Sequence, residues 1–180
     1  MNVADPGGAA SNLLTEFGSL GEVMAADFIA VRECAGDRVA GAMACAAALI
    51  QQLLEEPLYG RPLLASDVEL LRFLQHNIGQ APNECLIVLF LDSGRRLISH
   101  ERIAEGSISG VDIDARRIIL KALARGAHGL ILAHNHPSGN ARPSRSDFHI
   151  TRRLADLAGR FDIVVHDHLV VAGASASSAA

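Results

Sequence analysis

Apolar and polar positions change their spacing part-way along the chain. As far as residue 80 they recur with a helical period. Ser11–Phe17 and Leu20–Val31 show it loosely, and Ala42–Glu56 is a long Ala- and Leu-rich stretch of the same kind. Pro57, Gly60 and Pro62 interrupt it as a linker. Ser66, Asp67, Val68 and Glu69 have the form of a capping box, opening a helix that runs to about Asn77 and stops at Gly79 and Pro82.

Beyond Pro82, apolar runs of strand length alternate with amphipathic helices. Cys85–Leu91 is apolar throughout, Asp92, Ser93 and Gly94 are turn residues, and Arg95–Ile103 reads as a returning strand. Asp114–Arg125 gathers Ile118, Ile119, Ala122 and Leu123 on one face with Arg116, Arg117, Lys121 and Arg125 off it, and Gly126 ends it. His128–His134 is a second buried strand, 135–143 a loop, Arg145–Ala158 a helix stopped by Gly159, and Asp162–Val171 a last strand. Residues 174–180, all small, are expected to form a disordered tail. The alternation predicts an α/β (α+β) layered domain over 61–173, preceded by a helical region over 1–60.

Composition narrows the class. In 180 residues, 49% hydrophobic and 20% charged, there is room for one ordinary domain with a small appendage, and bulk disorder is excluded. The longest apolar runs, Cys85–Leu91 and Ala40–Ile50, are shorter than the roughly 18–20 residues that span a bilayer, so no membrane partner is expected. The first ten residues hold neither Lys nor Arg and no apolar signal core. Cys34, Cys45 and Cys85 are widely spaced among apolar neighbours, which fits buried inert thiols and a cytoplasmic address better than a disulfide framework. The net charge of −4 is concentrated in residues 1–80. With no Trp and a single Tyr, the chain lacks both the charge and the stacking surface of a nucleic-acid footprint.

The chemistry lies in LILAHNHPSGNARPSRSD, residues 130–147. An apolar strand ends in His134, Asn135 and His136, and residues two apart on a strand share a face, so the two imidazoles project together. Pro137, Ser138 and Gly139 force a loop. Ser144 then stands at a helix N-cap with Asp147 in the first turn, where its carboxylate can face back toward the strand end. Two His and one Asp leave the fourth tetrahedral position open, the pattern of a catalytic zinc site. A further carboxylate is then needed to move the proton of the attacking water. Taken singly, Ser144 with Asp147 is a helix cap and a His-x-His pair is packing. Their convergence in one short stretch favours metal.

His134-x-His136-x7-Ser144-x2-Asp147 matches the JAMM (MPN+) motif. With Thr151–Leu154 (TRRL) and Asp167–Val171 (DHLVV), the chain resembles the RadC family of bacterial JAMM-domain proteins, closely over about 83–173. The likeness is weaker over the leader, where Glu16–Leu20 (EFGSL) is similar. The resemblance implies a JAMM/MPN-type sandwich, a mixed, mostly antiparallel sheet flanked by helices, with an N-terminal region like a degenerate helix-hairpin-helix. It implies that His134, His136 and Asp147 ligate Zn2+, that Ser144 holds the water or the oxyanion, and that Glu84, at the start of the first core strand, is the general acid/base. Glu101 and Glu105 are the alternatives to Glu84, whose plainer reading is an exposed charge at a strand edge.

The implied function is amide hydrolysis by a zinc metallopeptidase or isopeptidase acting on a peptide or protein. The competing reading is a DNA-associated accessory protein with a structural zinc, resting on a basic face of Arg142, Arg145, Arg152 and Arg153. Against it, Ala35, Gly36, Asp37 and Arg38 keep one glycine where the family's phosphate-binding turn has two, and the acidic charge there repels phosphate. His166, Asp167 and His168 form a second His-x-His pair. Asp167 is a candidate to orient a ligand His, with a structural role as the alternative. His76, His100, His128 and His149 read as surface or packing residues. With no P-loop and no Gly-x-Gly-x-x-Gly, no nucleotide cofactor is expected.

Overall fold

Asp27 divides what reads in the sequence as one helix over Leu20–Val31. In the computed structural model, which describes residues 6–105 and 114–180, its carboxylate accepts the Ala30 N–H at 2.9 Å from an extended backbone. An N-cap residue must leave helical dihedrals, so the helix breaks there. The chain separates into two units, Met1–Leu53 and Leu54–Ala180. In the first are α1 (Pro6–Phe17), α2 (Leu20–Ala25), α3 (Phe28–Ala35) and most of α4 (Asp37–Glu55). Gly36, at φ 86°, turns the chain between α3 and α4, so α4 starts well before the expected Ala42. Leu13, Val23, Val31 and Ala40 form this unit's core. Of the three thiols only Cys85 is buried. Cys45 is exposed and Cys34 half-buried, which corrects the expectation for both.

The second unit opens on α5 (Val68–Ile78). The expected capping box of Ser66 with Glu69 does not form. The N-cap is Asp67, which accepts from the Leu64 N–H at 2.8 Å and from Arg61 at 2.9 Å, while Glu69 pairs with the same guanidinium at 3.3 Å. One arginine fork thus captures Glu69, the carboxylate that the box would have used, together with Asp67, which takes the N-cap position itself.

Five strands follow: β1 (Cys85–Leu91), β2 (Leu97–Glu105), β3 (Gly129–Asn135), β4 (Val164–Ala172) and β5 (Ser175–Ser178). They lie in the order β2-β1-β3-β4-β5, antiparallel except for the parallel pair β3–β4. Between β2 and β3 runs α6 (Ala115–Ala124), and α7 (Arg145–Ala158) is the crossover from β3 to β4. Residues 174–180 are not the expected disordered tail. Gly173, at φ 56°, turns the chain back, β5 pairs along the edge of β4, and the Ala179 N–H donates to the His168 carbonyl at 2.7 Å. Pairing satisfies the strand-edge groups that β4 would otherwise leave open.

Strand alternation sorts the core into two layers. Leu86, Val88, Phe90, Leu130 and Leu132 pack with Ile118, Ile119 and Ala122 of α6 and Leu154 and Ala158 of α7. Cys85, Ile87, Leu89, Leu91, Ile131 and Ala133 pack with Leu70, Phe73, Leu74 and Ile78 of α5. Helices therefore cover both faces of β1 and β3, which explains why those segments are apolar at every position.

Candidate metal centre

The same alternation builds the site. His134 continues the Leu130 and Leu132 row of β3 toward α7, and His136 follows it. Asn135, between them, points to the opposite face. The His136 N–H donates to the Val171 carbonyl at 2.8 Å, so pairing with β4 extends past the end of β3 and holds this imidazole in place. Gly139, at φ 79°, allows the tight loop back to α7.

At the start of α7 a full capping box forms. The Ser144 hydroxyl accepts the Asp147 N–H at 3.2 Å, and Asp147 Oδ2 accepts the Ser144 N–H at 2.6 Å. Cap and ligand are therefore not competing readings of Asp147. While its carboxylate holds the cap, Oδ1 lies 3.4 Å from His134 Nε2 and Oδ2 3.5 Å from His136 Nε2. The two Nε2 atoms are 3.0 Å apart, and the ligand atoms of His134, His136 and Asp147 all lie within 4.8 Å of one another. Among the described residues no other group of His, Cys, Asp and Glu converges in this way.

The donor set fits a divalent cation. His136 Nδ1 is 2.8 Å from the Asn140 carbonyl, which can only accept, so Nδ1 carries the hydrogen and Nε2 presents its lone pair. Two nitrogens and a carboxylate oxygen suit Zn2+. His134 and Asp147 are buried, whereas His136 is half-buried and keeps 17% of its side-chain surface exposed.

Burial governs the electrostatics. It pushes the His134 imidazole down to about 4, reinforced by His168 and His136 and opposed by Asp147 and Glu84. It likewise pushes His168 down to about 4. Burial would raise the Asp147 carboxyl, but the Ser144 amide and hydroxyl and the two imidazoles hold it below the usual range. The His134 and His168 rings are thus neutral at pH 7. The unfolded chain binds more protons between its histidine pKa near 6.5 and the native value near 4, so native stability falls as pH drops through that interval. Metal-free protein is expected to unfold in less urea at pH 5 than at pH 7, followed by circular dichroism. An unchanged midpoint would refute buried neutral rings.

Glu84 stands immediately before β1 and is half-buried. Leu86 pairs with His134, and the Glu84 charge reaches that ring. Asn135 fixes this segment from the other face of the sheet. Its Oδ1 accepts the Cys85 N–H at 2.6 Å, and its Nδ2 donates to the carbonyls of Ala81 and Asn83, each at 3.1 Å. Asn135→Ala leaves the buried Cys85 N–H without its partner and is expected to cost about 1–3 kcal/mol in urea denaturation. A cost near zero would show that the segment holds itself.

Glu101 is committed elsewhere. It pairs with Lys121 Nζ at 2.6 Å and Arg125 Nη2 at 2.7 Å, and the hydrogen bond from Lys121 holds its carboxyl below the usual range. The side chain of Glu105 lies outside the described residues. Asp167 does not orient a ligand. Its Oδ1 accepts from the Ser178 hydroxyl and from the His168 N–H, tying β5 to β4. The group that touches His134 is His168, whose Nε2 is 2.7 Å from His134 Nδ1 and whose Nδ1 is 2.6 Å from the Thr151 hydroxyl. The sequence held one signal for it. His168 directly precedes the apolar run Leu169, Val170 and Val171, a place that favours burial, and a buried imidazole requires a partner.

Among known proteins, the RadC-like JAB domain family model matches residues 64–180. The chain is 40% identical over 164 residues to a UPF0758 protein of Thioalkalivibrio sulfidiphilus, covering 90% of this chain and 74% of that one. It is 39% identical to a UPF0758 protein of Burkholderia thailandensis, covering 90% and 63%. A Paracidovorax citrulli UPF0758 protein is 35% identical over the whole of this chain and 77% of its own length. The chain thus spans about two thirds to three quarters of these relatives. From the match over 64–180 and these identities, the chain belongs to the RadC-like JAB domain family.

Proposed function

We propose that the protein is a zinc-dependent amide hydrolase of the JAMM type, acting on a peptide or isopeptide bond of a peptide or protein substrate. The observation that carries this reading is the convergence of His134 Nε2, His136 Nε2 and Asp147, with the charge of Glu84, just before β1, reaching the His134 ring. Zinc held by the two imidazoles and the carboxylate supplies Lewis-acid polarisation of the scissile carbonyl and acidification of water. The remaining chemistry falls to the chain. Glu84 takes the proton from the attacking water and returns it to the leaving nitrogen. Ser144, exposed at the start of α7 with its oxygen accepting the Asp147 N–H, turns its hydroxyl hydrogen from the Asp147 carboxylate to the oxygen of the tetrahedral intermediate.

Purified protein is expected to carry about one zinc per chain by elemental analysis and His134→Ala none. Metal-free protein that stays metal-free when zinc is supplied would reject the reading. A second reading, phosphate binding, is favoured by the exposure of Arg142, Arg145, Arg152 and Arg153 around α7. It requires steeply salt-dependent binding to duplex, single-stranded or branched DNA, and no binding at low salt would remove it.

A further inference from the structure

We infer that His168 and Thr151 are positioning residues for the metal centre, forming a hydrogen-bond relay that decides which nitrogen of His134 carries its hydrogen. The inference rests on the zinc reading and adds to it two residues that touch no ligand atom directly on the metal side.

The contacts run in a line from the backbone of α7 to the site. The Thr151 hydroxyl donates to the Asp147 carbonyl at 2.6 Å. A hydroxyl has one hydrogen, so its contact with His168 Nδ1, also 2.6 Å, is made with a lone pair and the hydrogen lies on Nδ1. His168 Nε2 is then bare. It faces His134 Nδ1 at 2.7 Å, the shorter of that ring's two imidazole contacts, so the one hydrogen of neutral His134 lies on Nδ1, and the 3.0 Å gap between the Nε2 atoms of His134 and His136 is the place a cation would bridge. With Nδ1 of His134 protonated, Nε2 turns its lone pair toward His136 and Asp147.

The polarity matters because of what lies at the far end. His134 Nε2 and His136 Nε2 are 3.0 Å apart, and His136 Nδ1 is already committed to the Asn140 carbonyl. If the relay ran in reverse, His134 would carry its hydrogen on Nε2, inside the space where the three ligand atoms meet, and that hydrogen would have to be displaced before a cation entered. The relay keeps the space clear. It also joins two ligands, because its terminal acceptor is the backbone carbonyl of Asp147. His168 and Thr151 are buried, with 1% and 6% of their surface exposed, so water does not compete for either contact.

Two independent readouts test the relay in the full chain. In metal-free protein with 15N-labelled histidine, long-range proton–nitrogen spectra report which ring nitrogen is protonated. The parent is expected to show His134 with its hydrogen on Nδ1. Thr151→Val, of the same shape but without the hydroxyl, and His168→Leu should shift His134 toward a mixture, while His136 stays on Nδ1 as the internal control. Zn2+ dissociation constants from chelator competition should weaken about 10–100-fold in both variants, and Thr151→Ser, which restores the hydroxyl, should return close to the parent. Parent protein with the His134 hydrogen on Nε2, or Thr151→Val binding zinc as tightly as the parent, would overturn the relay and leave the zinc reading standing. A parent that binds no zinc would overturn both.

Discussion

Glu84→Gln is expected to keep its zinc and to lose at least about 100-fold in kcat/KM on any peptide or isopeptide that the parent turns over, the scale of a missing general acid/base. Glutamine preserves the length and the hydrogen-bonding edge of the side chain but cannot take up and release a proton. Metal content should not change, because Glu84 is not among the converging ligand atoms of His134, His136 and Asp147. Glu101→Gln is the matched control. It removes the same charge from a carboxylate held by Lys121 and Arg125, so it should leave turnover intact and lower stability by no more than about 1 kcal/mol. Undiminished turnover in Glu84→Gln, or equal losses in the two variants, would remove Glu84 from the reaction.

The grouping of His134, His136 and Asp147 was legible because its rules are local. A strand fixes the common side of His134 and His136, and a capped helix fixes the direction of Asp147; each follows from a few neighbouring residues. The apolar runs of β1 and β3 were legible for the same reason. What escaped depends on contacts between segments distant in sequence. The supports of this group come from β4 and from the face of β3 turned away from it: His168 meets His134 across the parallel pair, and Asn135 holds the 81–85 segment across an antiparallel one. No short-range pattern marks either. The capping box at Ser66 failed for a related reason: Arg61 pairs with Glu69, and Asp67 takes the N-cap position. The pairing of β5 was hidden because small polar residues carry little strand preference, and only the open edge of β4 gives them a reason to extend.

Asp147→Asn separates the two duties of one carboxylate. An amide oxygen can still accept the Ser144 N–H that Asp147 Oδ2 now takes at 2.6 Å, so the start of α7 should survive. The negative charge is lost, and the amide nitrogen, in the place of Oδ1, turns its hydrogens toward His134 Nε2, where a cation would sit. The variant is therefore expected to fold and to lose stoichiometric zinc. Thermal unfolding gives the same answer by a second route. At free zinc 100-fold above its dissociation constant, binding to the native state adds about 2.7 kcal/mol. For a chain of 180 residues that corresponds to roughly 5–10 °C in Tm. Adding a chelator should lower the parent's Tm by that amount and leave Asp147→Asn where it was. Ser144→Ala makes the opposite cut. It removes the hydroxyl end of the capping box at a cost of about 1 kcal/mol but spares the ligands, so its Tm should start lower and still fall on chelation. If Asp147→Asn responded to the chelator as the parent does, the carboxylate would be a helix cap only and the metal would have to be held without it.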